Sequence, residues 1–204
     1  AGSGAVRVAC GQQDSRIVLH PGERIRTPRV LLQFWNGDGP ICGNNRFRQW
    51  MLAYDLPRRN GELVMSPICG SVTKVDPDGS YEGPHVRMMP LLARHGFEVF
   101  WSDMDPQQWY PIGFPDGTGT WEPDPVKYPN GLKPVGDAAR AAGLEYLLWF
   151  EPERVVRGTR IDQLHPEWVT YPEGKPKANG LFRLDIPEAR AWITDYIDQQ
   201  ITAA

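Results

Sequence analysis

Cysteine is scarce in this chain. Cys10, Cys42 and Cys69 are the only three of 204 residues, far apart and without a Cys-x-x-Cys spacing. An odd, scattered set fits neither a disulfide framework nor a zinc site, and is expected as buried free thiols in a reducing, cytoplasmic compartment. Histidine is as thin. His20, His85, His95 and His165 show no His-Glu-x-x-His or paired spacing, so each is expected in a core or surface role and no metal ligand is assigned. No glycine-rich phosphate turn follows a predicted strand, which excludes the dinucleotide fingerprint, and no cofactor is expected. A Gly-x-Ser-x-Gly elbow is missing too. Charge of one sign is not in excess: the net charge is -3, and the basic residues are interleaved with acids. That argues against nucleic acid or an anionic membrane as partner. No run approaches the roughly 18 consecutive apolar residues of a membrane span. The first residues, AGSGAVRVACGQQ, lack the charged and apolar regions of a signal peptide. With no initiator Met, and with Ile201-Thr202-Ala203-Ala204 stopping inside a helical pattern, the chain reads as a piece of a longer protein.

What the chain does have is aromatics, glycine and proline. Eight Trp, 21 Gly and 20 Pro describe an ordinary globular composition with many loops. The length allows one large domain or about two small ones.

Residues 1–58 are expected to form the end of an all-β domain plus a linking helix. Val6 and Val8 alternate with polar neighbours, Ile17-Val18-Leu19 precede a Pro21-Gly22 turn, and Arg29 to Trp35 is an apolar strand after Pro28. Phe47, Trp50, Met51 and Tyr54 recur at helical spacing, which predicts a helix from Asn44 to about Leu56. Pro57-Arg58-Arg59-Asn60-Gly61 marks a boundary.

Residues 59–204 alternate strand and helix. Strands are predicted at Leu63–Ile68, Phe97–Trp101, Glu145–Phe150 and Leu181–Ile186. Helices are predicted at Val86–His95, closed by Gly96, over the positions Leu132, Val135, Ala139 and Ala142, capped by Asn130 and stopped by Gly143, and from Pro187 onward with Ile193, Tyr196 and Ile197 on one face. Pro90 sits badly inside the first of these helices. This rhythm implies a parallel α/β sheet. Polar and aromatic residues pile up just after the strands, which favours the first half of a (β/α)8 TIM barrel over an open sheet.

Leu147-Leu148-Trp149-Phe150-Glu151-Pro152-Glu153 stands at the centre of the chemistry. Strand parity puts Leu147, Trp149 and Glu151 on one face, and Tyr146, Leu148 and Phe150 on the other. An apolar strand ending in an indole and carboxylates resembles the floor and rim of a polar pocket. Carboxylates with aromatics suit sugar: aromatic faces pack on the C–H face of a ring, and carboxylates accept hydrogen bonds from hydroxyls. Glu151 and Glu153 lie two residues apart on one side, roughly 6.6 Å between Cα atoms, and cannot flank a scissile bond from opposite sides. Each is either a rim carboxylate bonded to backbone or basic groups, or a direct sugar ligand. Asp103 ends a hydrophobic strand and opens the aromatic loop to Tyr128, with Asp105 close behind; it is a hydroxyl ligand or a loop cap. Trp109 and Trp121 are substrate platforms or core.

The run GTWEPDPVKYPNGLKPVGDAARAAGLEYLLWFEPERV, Gly119 to Val155, resembles the bacterial α-galactosidases, or melibiases, of glycoside hydrolase family 36. HPGERIRTPRVLL (His20–Leu32), FWSDMDPQQWY (Phe100–Tyr110), HPEW at His165 and LDIPEARAW at Leu184 extend the resemblance over essentially the whole chain. It implies the first half of a (β/α)8 barrel preceded by the end of a β-supersandwich, and retaining removal of terminal α-linked galactose from oligosaccharides. By resemblance Trp149 lines the galactose pocket and Asp103 holds galactose hydroxyls. The longer Asp105-Pro106-Gln107-Gln108 insertion before Trp109 lets Asp105 compete with Asp103. An arginine that contacts substrate in some members has no counterpart in Ala178-Asn179-Gly180-Leu181. The family's nucleophile, in an Asp-x-Asn strand, and its acid/base aspartate have no match up to Ala204, so no catalytic residue is assigned and residues 1–204 alone are expected to be inactive. The resemblance further implies a full-length homo-oligomer. Alternatives on the same scaffold are an α-N-acetylgalactosaminidase, a galactosyl-transferring relative, or a non-catalytic carbohydrate-binding protein.

Overall fold

Two helix ends of the same design set the frame of the molecule. In the computed structural model, which describes residues 4, 7–37, 39–103, 109–175 and 179–204, helix α2 (Glu82–Arg94) ends at His95, and Gly96 follows at φ 82°. Gly96 N–H bonds Ala93 O at 3.0 Å and Phe97 N–H bonds Leu92 O at 3.2 Å, the two reversed bonds of a Schellman motif. Helix α3 (Lys133–Ala141) repeats it: Gly143 (φ 76°) bonds Arg140 O at 3.1 Å, and Leu144 bonds Ala139 O at 2.8 Å. Each turn needs the left-handed conformation that glycine adopts without a Cβ clash. Each then feeds a strand, β4 (Val99–Ser102) after α2 and β5 (Glu145–Leu148) after α3.

With β3 (Cys69–Gly70) these strands form a parallel sheet in the order β3-β4-β5, Val99 opposite Glu145 and Ser102 opposite Leu148. Parallel neighbours require crossovers, and α2 and α3 are those crossovers. The buried sides of the helices follow the predicted period: Leu132, Val135 and Ala139 on α3, Ile193 and Tyr196 on α5 (Pro187–Ala203). Helix α2 runs through Pro90, which is exposed, while Met89 and Leu92 enter the core; it also begins earlier than predicted.

Three expectations are corrected here. The segment around Leu181 is not a fourth parallel strand: β8 (Gly180–Phe182) lies antiparallel between β6 (Arg154–Val155) and β7 (Val169–Thr170) in a separate small sheet. Between β6 and β7 come the short helix α4 (Arg160–Leu164) and a 3-10 turn, Pro166–Trp168. Asn130 does not cap α3, whose N-cap is Leu132; instead its backbone N–H and its side-chain amide donate to the two Glu82 carboxylate oxygens at 2.9 and 2.8 Å. The strand after Tyr146 stops at Leu148, so Trp149 and Phe150 leave strict alternation.

The chain divides into two compact units, Ala1–Met65 and Ser66–Ala204. In the first, helix α1 (Pro40–Trp50) starts with Pro40 inside its first turn, earlier than the predicted Asn44, and passes into a π-helical turn, Met51–Asp55. Pro57–Gly61 leads into a hairpin turn: β1 (Arg58–Arg59) pairs with β2 (Glu62–Leu63) around Asn60 and Gly61 at φ 53° and 86°. The strands expected before Pro40 are not formed among the described residues, and Val18, Leu32 and Phe34 are exposed. A strand needs partners for its N–H and C=O groups, and these residues find no ladder. Val6 lies outside the described residues. None of the three cysteines is in a disulfide, but Cys10 is exposed and Cys42 and Cys69 are half-buried, not buried as expected. Among the described residues no helix is long and apolar enough to cross a membrane.

Candidate substrate site at the ends of the parallel strands

Asp103 and Trp149 leave the sheet side by side. Each is the first residue past its strand, and the strands are neighbours. Trp149 N–H donates to Ser102 O at 3.0 Å, which carries the pairing one step beyond β5 and ties Trp149 to the residue before Asp103. Trp149 O accepts from the Trp109 indole N–H at 3.1 Å. Both backbone groups of Trp149 are therefore held, one by the sheet and one by the aromatic loop.

That loop returns over the strand ends and builds a wall of rings. The Trp149 indole stacks on Tyr110 (centroids 6.4 Å apart, 24° between planes) and meets Phe114 and Trp121 edge-on at 5.9 and 5.7 Å. Phe150 meets Trp109 and Trp121 at 5.2 and 5.6 Å. Such edge-to-face pairs suit the ring quadrupoles and each contribute about 0.5–1.5 kcal/mol beyond burial. Trp109, Tyr110 and Trp121 have no exposed surface, whereas Trp149 and Asp103 are half-buried. Of the candidate aromatic platforms, Trp149 is half-buried, while Trp109 and Trp121 take the core alternative and pack behind it without exposed surface. Asp105 lies outside the described residues.

The two glutamates separate. Glu151 is only 16% exposed at its side chain and pairs with Arg154 at 2.8 Å. Burial pushes its carboxyl above the usual range against the pull of Arg154, and the Glu153 charge adds to the rise. Glu153 is exposed; its carbonyl accepts from Phe182 N–H at 2.8 Å, joining the site to β8. Arg154 was not anticipated by sequence reasoning, although its spacing three residues after Glu151 was a usable signal. Its guanidinium also lies over the Phe114 ring, 5.4 Å from the centroid. Burial pushes the Tyr110 hydroxyl up to about 12; the Thr118 hydroxyl opposes, the charges of Glu151 and Asp103 add to it and Arg154 opposes.

His165 is packed, not poised: its ring stacks on Trp168 at 4.0 Å and meets Trp192 edge-on at 4.5 Å. Among the described residues no group of three or more His, Cys, Asp or Glu side chains is placed to hold a metal ion. The arrangement can bind a neutral, hydroxyl-rich ligand: a half-open indole gives an apolar face, and carboxylates and a guanidinium give directional acceptors and donors.

The chain aligns with AgaA, an α-galactosidase from Geobacillus stearothermophilus, at 26% identity over 98% of this chain and 27% of that protein. An Escherichia coli α-galactosidase is 37% identical over 37% of this chain and 11% of that protein. The chain thus spans under a third of these curated relatives. Among solved structures, the family GH36 α-galactosidase AgaB of G. stearothermophilus superimposes with a TM-score of 0.56 at 22% identity, covering 68% of this chain and 20% of that one. An α-galactosidase from Lactobacillus brevis gives 0.55 at 24% identity, covering 69% and 19%. At these identities the superpositions speak for the fold. The melibiase family model matches residues 92–204, more than half of the chain and the whole of the region from the end of α2 through α5. By that match, the chain belongs to the melibiase family.

Proposed function

We propose that this chain supplies part of the galactose pocket of a retaining α-galactosidase, with β3, β4 and β5 as the first strands of a (β/α)8 barrel that follows the end of an all-β domain near residue 58. The observation that carries the reading is the placement of Asp103 and the half-open Trp149 at the ends of adjacent parallel strands, where barrel enzymes assemble their sites. Trp149 offers the apolar face on which a galactose ring rests. Asp103 accepts hydrogen bonds from its hydroxyls. Trp109, Tyr110, Phe114 and Trp121 fix the indole from behind, and Glu151 and Arg154 form the rim. The substrate class is an α-galactosyl oligosaccharide; structures of AgaA variants hold raffinose and stachyose, which shows that relatives take sugars of this kind.

Retaining hydrolysis needs two carboxyl groups about 5–5.5 Å apart across the bond. Glu151 is engaged by Arg154 and Glu153 opens to solvent, so neither is assigned as nucleophile or acid. The test has two arms. Reading the gene beyond the codon of Ala204 is expected to find an Asp-x-Asn strand. The complete gene product should hydrolyse an aryl α-galactoside, and the 204-residue chain should not. Turnover by residues 1–204 alone would overturn the partial-site assignment. Lack of both turnover and galactose binding in the complete gene product would overturn the function.

A further inference from the structure

Trp109 and Tyr110 hold Trp149 by its carbonyl and by its ring face, and both are themselves held by one turn, residues 124–127. Asp124 Oδ1 accepts from Val126 N–H at 2.8 Å and from Lys127 N–H at 3.3 Å, which closes the turn. Asp124 N–H donates to Trp109 O at 2.8 Å. The Lys127 ammonium donates to Tyr110 O at 3.3 Å and stands 3.8 Å from Asp124 Oδ2. The carbonyls of two consecutive loop residues thus end on the same turn. On its other side the turn is fixed to α2. Lys127 O accepts from Tyr81 N–H at 2.9 Å and Glu82 N–H at 3.1 Å, donors that a helix start leaves without a helical partner, and from Ser80 Oγ at 3.3 Å.

We infer that Lys127 is a positioning residue of the galactose site: its ammonium, set between Tyr110 O and Asp124, fixes the ring against which the Trp149 indole is oriented. The inference rests on the galactose-pocket reading above and extends it to a residue that acts through Tyr110. Lys127 joins α2 to the aromatic loop with both of its ends, the carbonyl on the helix start and the ammonium on Tyr110 O. Its side chain is 20% exposed and that of Asp124 15%. An ammonium is costly to withdraw from water unless oxygens receive its donors, and Tyr110 O and Asp124 meet that need. Burial lowers its pKa, and the Asp124 charge opposes the shift. The cation is kept against that cost on the carbonyl of the residue whose ring stacks on Trp149. An apolar side chain in its place removes this donor and frees the Tyr110 backbone to shift, and the indole follows the ring.

The complete gene product is the protein to test. Lys127→Met keeps an unbranched apolar stem and removes the ammonium. It is expected to raise KM for α-galactosyl fluoride and the inhibition constant of free galactose together, each about fivefold, with kcat within about twofold, because a misoriented indole weakens binding of substrate and transition state alike. Lys127→Arg returns a cationic donor and should bring both constants back to within about twofold of the unaltered protein. Asp124→Asn keeps the Oδ1 acceptor that closes the turn and removes the charge beside the ammonium. It should raise both constants about twofold to threefold, and it carries the test if Lys127→Met does not fold. A lower melting temperature with unchanged KM and unchanged galactose inhibition overturns the positioning role, since a merely structural lysine would act that way. An arginine variant as impaired as the methionine one, or an Asp124→Asn protein with both constants unchanged, overturns it too. Failure of the unaltered protein to bind galactose or turn over any α-galactoside overturns instead the galactose reading on which the role rests.

Discussion

His85 links the buried chemistry of the fold to the acid stability of the site. Its imidazole has no exposed surface. Nε2 lies 3.0 Å from Val72 O, and a carbonyl only accepts, so Nε2 carries the proton. Nδ1 then faces the Tyr128 hydroxyl at 3.4 Å as an acceptor. Tyr81, Phe100 and Tyr128 surround the ring, with Phe100 edge-on at 4.9 Å. Burial lowers the pKa from 6.5 to about 4, and the bond to Val72 opposes only part of that shift. Above the unfolded value near 6.5 both states are neutral and the contribution is fully present. Below it the unfolded chain takes up the proton first, so stability falls by up to about 1.4 kcal/mol per pH unit until the folded ring protonates near 4. The loss sums to about 3 kcal/mol, a large part of ordinary domain stability. Denaturant unfolding of the wild type and of His85→Gln from pH 7.5 to 4 isolates the effect, because the carboxylates titrate in both. The variant starts lower at pH 7.5, and its stability should decline less steeply through that window by about 3 kcal/mol in total. Parallel curves, or an imidazole titration midpoint near 6.5 by NMR, would refute the reasoning. The consequence reaches the site: Phe100 belongs to β4, the strand that delivers Asp103.

Three further outcomes are expected. Gly180→Ala puts a Cβ against Val169 Cγ1 and within 2.7 Å of Tyr171 Cε1, which should cost about 1–3 kcal/mol and loosen β8; an unchanged melting temperature would contradict the packing. Glu82→Gln removes the carboxylate that receives both Asn130 donors and should destabilise by about 1 kcal/mol, measured by denaturant midpoint, with no loss beyond the segment from α2 to Asn130 in hydrogen exchange. Arg154→Met removes the cation that holds Glu151 down, so the Glu151 carboxyl should titrate higher still by carbon-detected NMR, and a downward move would show that Arg154 is not its main partner.

Some of this architecture is legible in the sequence because it depends on local chemistry. Gly96 and Gly143 announce helix ends, since few residues other than glycine take that left-handed position at low cost. Leu132, Val135 and Ala139 announce a buried face by their spacing. The exits of Asp103 and Trp149 follow from the abrupt change of polarity after Trp101 and Phe150. What is not legible depends on distant partners. Leu181–Ile186 has a strand's composition, yet composition does not say whether its neighbour runs parallel or antiparallel, and Gly180 pairs with Val155 instead of joining β5. Asn130 has the residue type of a helix cap, but Glu82, 48 positions earlier, offers two oxygens that outcompete the local role. Trp109 and Trp121 have the side chain of a platform, and only the return of the loop over Phe150 decides that their faces are covered.

The covering of those two indoles gives the site its logic. A sugar platform contributes binding energy only if its ring is already oriented, because an indole that must be ordered on binding spends part of the contact on entropy. Trp149 cannot be oriented by strand geometry, since the ladder ends at Leu148 and leaves only the single bond to Ser102 O. The orientation comes instead from Trp109, which grips the Trp149 carbonyl, and from Tyr110, Phe114 and Trp121, which contact the ring on several sides. Four aromatic side chains thus hold one indole at the strand ends. The same rings explain why the rim charges sit where they do: Phe114 carries the Arg154 guanidinium on its face, and Arg154 in turn holds Glu151. Indole and rim are therefore positioned by one loop, so a change in that loop that left Asp103 and Trp149 intact in sequence would still move both the apolar face and the charges at the strand ends.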